Sequence, residues 1–263
     1  NPQYNYDWGI TNWTTVPDAN GKMIMRTNTG PIEFFEHPWF NPGLFIANKV
    51  LFDRLITCDG GLAPTRPKMA KHYSLSTDGK TLTFIMKDNL KWHDGSPITA
   101  SEVKWNIELA LKVPTLMPIF KNTFKSLQGA ESYVNGSANS VSGIKVSGNK
   151  LTLQFAKVDP NVLLTFSQFA PLPRKHVGNV DPTKFQQHPF WQNPIGSGPY
   201  RVKEVQMNDY VVFAPFDDYH EGRARIDEII ASPSNDNDAN LVKNASAERM
   251  DYGFTKNVAD VKS

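Results

Sequence analysis

The chain has 263 residues, 40% of them apolar, and 28 basic residues stand against 26 acidic ones, for a net charge of +2. That length and apolar content fit one large domain or two modest ones with a sizeable core. The near-neutral balance, with no Lys/Arg run, excludes the basic stripe of a nucleic-acid binder, and no apolar run reaches the length of a membrane-spanning helix.

The chain opens at Asn1-Pro2 rather than Met, so a mature or trimmed protein whose export signal has been removed is expected. Residues 1–21 carry Tyr4, Tyr6, Trp8 and Trp13 with few aliphatics, the composition of an extended arm on a surface. Lys22 to Thr27 reads as a first buried strand, broken by Thr29-Gly30-Pro31. Phe34, Phe35, Trp39 and Phe40 then share a loop with Glu33 and Glu36. Aromatics there offer contact area to a ligand, with ordinary packing as the alternative. Leu44 to Ile56 has Leu44, Ala47, Leu51 and Leu55 at helical spacing and predicts a helix. Cys58 is the only cysteine. It makes no intrachain disulfide and no zinc cluster, and the residues around it match no nucleophile motif.

The richest stretch runs from Ala70 to Glu102. Asp78-Gly79 is a tight turn. Leu82, Phe84 and Met86 alternate with polar residues, as in a half-buried strand. His93-Asp94-Gly95 makes a second turn, and the aspartate is expected to bond nearby backbone N–H groups rather than to act as an acid or base. Trp92 is expected to anchor a core. Thr99 and Glu102 have capping-box spacing for a helix that continues to Lys112, before Pro114. Beyond it, Ile144 to Phe155 alternate about Gly148-Asn149 as a hairpin, Asn135 to Ser142 form an exposed loop, and Asn161 to Phe169 a short helix. Tyr200 to Val205 and Val211 to Phe213 make a second hairpin, Ile226 to Ile230 a strand, and Asn240 to Met250 a helix. The six histidines lack the spacing of a metal site. Gly196-x-Gly198 runs into Pro199 and a strand rather than a helix, so it is no dinucleotide fingerprint; glycine there permits positive φ, and Pro199 sets the exit direction.

Two runs resemble the bacterial extracellular solute-binding proteins of family 5, which serve ABC importers of peptides, nickel and oligosaccharides. One is Asp78-Gly-Lys-Thr-Leu-Thr-Phe, Lys87, and Leu90-Lys-Trp-His-Asp-Gly-Ser-Pro-Ile-Thr-Ala-Ser-Glu-Val103. The other is Pro194-Ile-Gly-Ser-Gly-Pro-Tyr200. The resemblance implies an α/β fold, the first lobe of a periplasmic-binding-protein-like architecture (type II, cluster C), with a mixed sheet and an attached α+β subdomain. The second lobe is expected to be largely absent. The expected organisation is an arm over 1–21, a lobe-one core from 22–43 and 186–235, an inserted subdomain over 44–185, and the start of a crossover over 236–263.

The resemblance further implies a non-enzymatic protein of the periplasm, or one tethered outside the membrane, monomeric and without a cofactor. It would capture oligopeptides and deliver them to an ABC permease. An oligosaccharide- or nickel-chelate-binding member is the alternative within the family, and a hydrolase using Cys58 the alternative outside it. The family's loop after the first strand borders the cleft, so Thr29, Gly30, Glu33, Phe34 and Trp39 become ligand candidates. Ser167 and Gln168 are a second tier. Gly196, Gly198, Pro199 and Tyr200 are expected to be hinge or structural residues.

Overall fold

The structure is a computed structural model, and it describes residues 9–29, 38–40, 46–59, 61, 63–207, 209–233 and 250–253. Ten strands form three sheets among these residues. The first sheet joins chain ends far apart in sequence. Its strands are β1 (Ile24–Thr29), β8 (Tyr200–Gln206), β9 (Tyr210–Pro215) and β10 (Glu228–Pro233), in the order β1-β10-β9-β8. β1 runs parallel to β10 and the other pairs are antiparallel, so the sheet is mixed. Tyr252 adds a parallel bridge to Thr27, and the Asp251 carboxylate accepts the Arg26 N–H at 2.7 Å. The expected helix over Asn240 to Met250 lies outside the described residues, apart from Met250.

The second sheet is antiparallel. It contains β4 (Ala70–Leu75), β5 (Thr81–Met86), β6 (Ile144–Ser147) and β7 (Lys150–Gln154), in the order β4-β5-β7-β6. Both turns at its hairpins use a glycine with positive φ, Gly79 at 69° and Gly148 at 57°. Leu82, Phe84 and Met86 all point inward from β5, as their alternation predicts. Helix α2 (Ala100–Lys112) covers the inner face with Val103, Ile107, Ala110 and Leu111. At its start the Thr99 hydroxyl accepts the Glu102 N–H at 3.3 Å. The Glu102 carboxylate also takes the Trp92 indole N–H at 3.0 Å and the Arg174 N–H at 3.2 Å. Trp92, 1% exposed, is thereby fixed as a core residue.

Helix α1 (Ile46–Leu51) is shorter than the spacing of Leu44 to Ile56 predicts. The chain leaves the helix after Leu51 and Ile56–Cys58 becomes strand β2, paired with β3 (Pro64–Pro67). The cause is tertiary. The Leu51 carbonyl, which would otherwise accept the N–H of Leu55, is taken by the N–H groups of Ser197 and Gly198 at 2.9 and 2.8 Å. Arg54 turns its guanidinium back onto the carbonyls of Asn48 and Phe52 at 3.3 and 2.8 Å. Three further helices complete the part around the second sheet: α3 (Pro118–Lys125), α4 (Ala130–Val134) and α5 (Val162–Gln168). A short α6 (Arg174–Val177) follows. One continuous apolar core runs from Met25 and Ile229 in the first sheet to Phe84 and Leu153 in the second. No helix among the described residues is long and apolar enough to cross a membrane.

Candidate functional site

The parallel strands β1 and β10 end together, Thr29 opposite Pro233. Open α/β sheets take ligands outside the carboxyl ends of their strands, so this edge is where the loop after β1 matters. Gly30, Glu33 and Phe34 follow Thr29 and lie outside the described residues. The chain is described again at 38–40, where Trp39 is 0% exposed. Its indole N–H donates to the Ala170 carbonyl at 2.8 Å, and its ring packs on Phe169 and Phe185 at 5.1 and 4.9 Å between centroids. Trp39 is therefore a core anchor, with no open face for a ligand. It ties the far end of the loop to the residues just after α5.

Ser167 and Gln168 close α5 beside that anchor. Gln168 donates to the Cys58 sulfur at 3.1 Å, and its own carbonyl accepts Arg54 Nε at 3.4 Å. Cys58 is fully buried, and burial raises its thiol pKa, which disfavours the reactive thiolate. Ser167 lines a cleft of about 120 Å³ between the 9–12 segment, α1, β2, β3 and the turn after β9. Lys49, Asp53 and Arg54 are buried there, whereas the Arg66 side chain is 46% exposed.

Charges in the cleft wall are tightly arranged. The Asp53 carboxylate meets His220 Nε2 at 2.6 Å and accepts the Tyr219 hydroxyl at 3.0 Å. Burial alone would raise the Asp53 pKa. The Lys68 ammonium and the His220 hydrogen bond outweigh it and hold the carboxyl at about 2. His220 Nδ1 faces Lys87 Nζ at 3.1 Å. An ammonium only donates, so Nδ1 accepts and Nε2 carries the proton toward Asp53. Glu221 binds Lys68 at 2.6 Å and Arg66 at 3.4 Å, with Lys87 at 3.7 Å. Lys49 is pushed down to about 7 by its burial and by the neighbouring Arg54 charge. The Asp–His pair looks like part of a hydrolytic triad, but both imidazole nitrogens are engaged and neither faces a nucleophile. Sequence reasoning did not find Asp53, His220 or Lys87. The one signal was Asp53-Arg54, two opposite charges inside an apolar run from Val50 to Ile56.

The Gly196-Ser197-Gly198-Pro199-Tyr200 run lies directly on the end of α1. Neither glycine has positive φ, contrary to the expectation from sequence. Their role is close approach: a Cβ on Gly196 would sit 1.9 Å from the Leu51 oxygen, and one on Gly198 2.4 Å from the Val50 oxygen. The His93 ring clamps the run, with Nδ1 accepting the Gly196 N–H at 3.0 Å and Nε2 donating to the Gly198 carbonyl at 3.0 Å. Burial holds the His93 pKa at about 4, so the ring is neutral, as this double contact requires. The Ser197 hydroxyl accepts the Asp53 N–H at 2.8 Å. The Pro199 carbonyl accepts the Phe216 N–H at 2.9 Å, and the buried Tyr200 hydroxyl donates to Ile226 at 3.1 Å. Asp94 accepts from the Ser96 N–H and holds Lys175 and His176, so it shapes a turn and carries no acid–base role.

Comparison with known proteins places this architecture. The chain is 26% identical over 196 residues to a Brucella ovis protein named as an ABC transporter peptide-binding protein, a match covering 73% of this chain and 34% of that one. It is 24% identical over 266 residues to the dipeptide-binding protein of Escherichia coli, covering 95% of this chain and 48% of the relative. The murein tripeptide binding protein MppA of Escherichia coli superposes with a TM-score of 0.71 at 22% identity, over 91% of this chain and 47% of that one. The chain thus spans a third to a half of the length of these relatives. The profile of the bacterial extracellular solute-binding proteins, family 5 (middle), matches residues 65–262, and the chain belongs to that family.

Proposed function

We propose that this chain is the first-lobe portion of the substrate-binding component of an ABC importer, which captures oligopeptides between two lobes and hands them to a membrane permease. The observation that carries the reading is the family match, over a fold that supplies about half of its two-lobed relatives. One feature supports it: β1 and β10 run parallel and end together, and open α/β sheets take ligands outside the carboxyl ends of such strands. Closure of the second lobe on cargo works by population shift, because the ligand contacts both lobes only when they close. Thr29, Gly30, Glu33 and Phe34 would meet the peptide backbone, with Ser167 and Gln168 at the adjoining wall and Trp39 holding the loop from behind. The Gly196–Tyr200 run would keep the lobe rigid near the junction. The protein would act as a monomer outside the cytoplasmic membrane, in the periplasm or tethered.

Calorimetric titration of residues 1–263 tests this with alanine peptides of two to five residues, a set of oligosaccharides and a nickel–histidine chelate. One lobe offers half of the contacts, so the expected result is binding of the peptides alone, with Kd on the order of 1 mM, or about −4 kcal/mol. Selection of a sugar or of the nickel chelate would overturn the peptide reading. Micromolar binding by this lobe alone would overturn the two-lobe mechanism.

A further inference from the structure

Four turns among the described residues place an Asn or Asp directly before a glycine of positive φ. They are Asn20-Gly21 at 78°, Asp78-Gly79 at 69°, Asp94-Gly95 at 83° and Asn135-Gly136 at 83°. In each, the glycine N–H is bonded to the carbonyl three residues back, at 2.9 Å for Gly21, 2.8 Å for Gly79 and Gly95, and 3.3 Å for Gly136. Three of the four also fold the side-chain oxygen over the next amide but one. Asp78 Oδ1 accepts the Lys80 N–H at 3.0 Å, Asp94 Oδ1 the Ser96 N–H at 2.9 Å, and Asn135 Oδ1 the Ser137 N–H at 3.0 Å. At the Asn20 turn the corresponding N–H, that of Lys22, is taken by Asp18 Oδ1 at 2.9 Å.

The shared geometry has a chemical consequence at only one of them. An asparagine side chain can be attacked at Cγ by the backbone nitrogen of the following residue, and glycine leaves that nitrogen least hindered. The new bond is Gly136 N–Cγ and the broken bond is Cγ–Nδ2. The Gly136 amide proton leaves with Nδ2 as ammonia once a second proton arrives from water, and the cyclic imide remains. Water then opens the imide at either carbonyl, giving aspartate or isoaspartate, so the sum is asparagine plus water to acid plus ammonia. Negative charge develops on Oδ1 during the attack, and a donor already aimed at that oxygen stabilises it. At Asn135 the Ser137 N–H is that donor. The nitrogen must also swing toward Cγ. The Gly136 N–H is held only by the 3.3 Å bond, longer than a well-formed one, and a Cβ built at Gly136 would meet nothing within 4 Å. Asp78 and Asp94 have the same turn but carry carboxylates, which offer no amine leaving group. Asn20 has the leaving group, but the donor at its turn is committed to Asp18 and its glycine nitrogen is held at 2.9 Å.

We infer that Asn135 is a self-modification site, where the turn after α4 promotes cyclisation on Gly136 and hydrolysis to aspartate and isoaspartate. Asn135, Gly136 and Ser137 are all exposed, so water reaches the imide. The aspartate product keeps the turn, as Asp78 and Asp94 do, and lowers the net charge from +2 to +1. The isoaspartate product adds a methylene to the backbone between the bonds Asn135 N–H to Glu131 carbonyl at 3.0 Å and Ala138 N–H to Ser132 carbonyl at 2.9 Å, so it loosens the end of α4.

The test incubates the full chain at mildly alkaline pH, in buffer and in parallel in concentrated urea. Peptide mass mapping follows the mass gain of an amide-to-acid change at Asn135 and Asn20. In buffer, Asn135 should convert about tenfold or more faster than Asn20, with aspartate and isoaspartate as two separable products. In urea, where neither turn survives, the two rates should agree. Ser137→Pro keeps the Asn-Gly step and removes the donor N–H, so it should bring Asn135 down to the rate of Asn20. The urea comparison needs no variant and decides the matter if Ser137→Pro does not fold. Equal rates in buffer overturn the inference. The same excess of Asn135 over Asn20 in urea also overturns it, because the cause would then be the neighbouring residues and not the turn.

Discussion

Replacing Gly196 by Ala tests the reason for the glycine-rich run. Its φ is not positive, so no backbone strain is expected from the residue's own conformation. What opposes the methyl group is backbone. The added carbon would lie 1.9 Å from the Leu51 oxygen and 2.8 Å from its carbonyl carbon. A close C···O contact is about 3.3 Å, so α1 and the run must separate by more than ~1 Å. That separation stretches the Ser197 and Gly198 hydrogen bonds to Leu51 and disturbs the His93 N–H bond to the Gly196 carbonyl at 2.9 Å. Overpacking costs about 1–3 kcal/mol and each lost hydrogen bond about 1 kcal/mol, so the total is roughly 3–5 kcal/mol. For a chain of this size that lowers Tm by roughly 10 °C. The control is Gly148→Ala. Gly148 has φ of 57° and nothing within 4 Å of the added carbon, so the change there costs only the left-handed backbone penalty, about 1–2 kcal/mol. Urea and thermal unfolding of both variants measure the difference. If Gly196→Ala loses no more stability than Gly148→Ala, the close-approach argument is wrong.

Two further changes probe the buried groups around that contact. His93 is held at about 4 against an ordinary 6.5, so the folded state binds fewer protons than the unfolded state between those values. Its contribution is fully present above pH 6.5 and is lost as pH falls toward 4. The full shift corresponds to about 3 kcal/mol, and His93→Gln should flatten this part of the stability–pH curve; an unchanged slope refutes the clamp. Asp53→Ala removes the shared acceptor of His220 and Tyr219 and leaves them buried, which should cost about 3–5 kcal/mol in urea unfolding. A loss below about 1 kcal/mol would show that the network adds nothing to the fold.

Features whose cause is local were legible in the sequence. The turns at Asp78-Gly79 and Gly148-Asn149, the alternation of Leu82, Phe84 and Met86, and the Thr99 cap each depend on residues within a few positions, and all appear as expected. The failures have long-range causes. The helix expected over Leu44 to Ile56 stops at Leu51 because two N–H groups about 145 residues away take its carbonyl oxygen. Trp39 looked like a ligand platform because composition does not reveal that Ala170, Phe169 and Phe185 close around it. The glycines at 196 and 198 were correctly singled out, but for the wrong reason, since a positive φ and a crowded Cβ leave the same letter in the sequence. Among the candidate ligand residues, Ser167 does reach the cleft. Lys49, Arg54 and Asp53, which form much of its charged floor, were hidden in what read as an apolar helix.

The contact that ends α1 also builds the site. With Leu51 capped from outside, Asp53 and Arg54 leave the helical path and turn into the cleft, rather than continuing around a helix surface. The cap is held in place by His93, whose two nitrogens grip Gly196 and Gly198, and His93 is positioned by the Trp92–Gly95 turn, closed by the Gly95 N–H to Trp92 carbonyl bond at 2.8 Å. Asp94 in that turn binds Lys175 and His176, which fixes the segment following α5 and Trp39's partner Ala170. The His-Asp-Gly stretch that marks the family thus makes no contact with the cleft itself. It sets the floor of the cleft through four successive links: ring to glycine, glycine to Leu51, Leu51 to the end of α1, and that end to Asp53 and Arg54. A conservative change at His93 is therefore expected to weaken the cleft's charged floor before it unfolds the chain, and the amide chemical shifts of Lys49 and Ser167 in His93→Gln would report it.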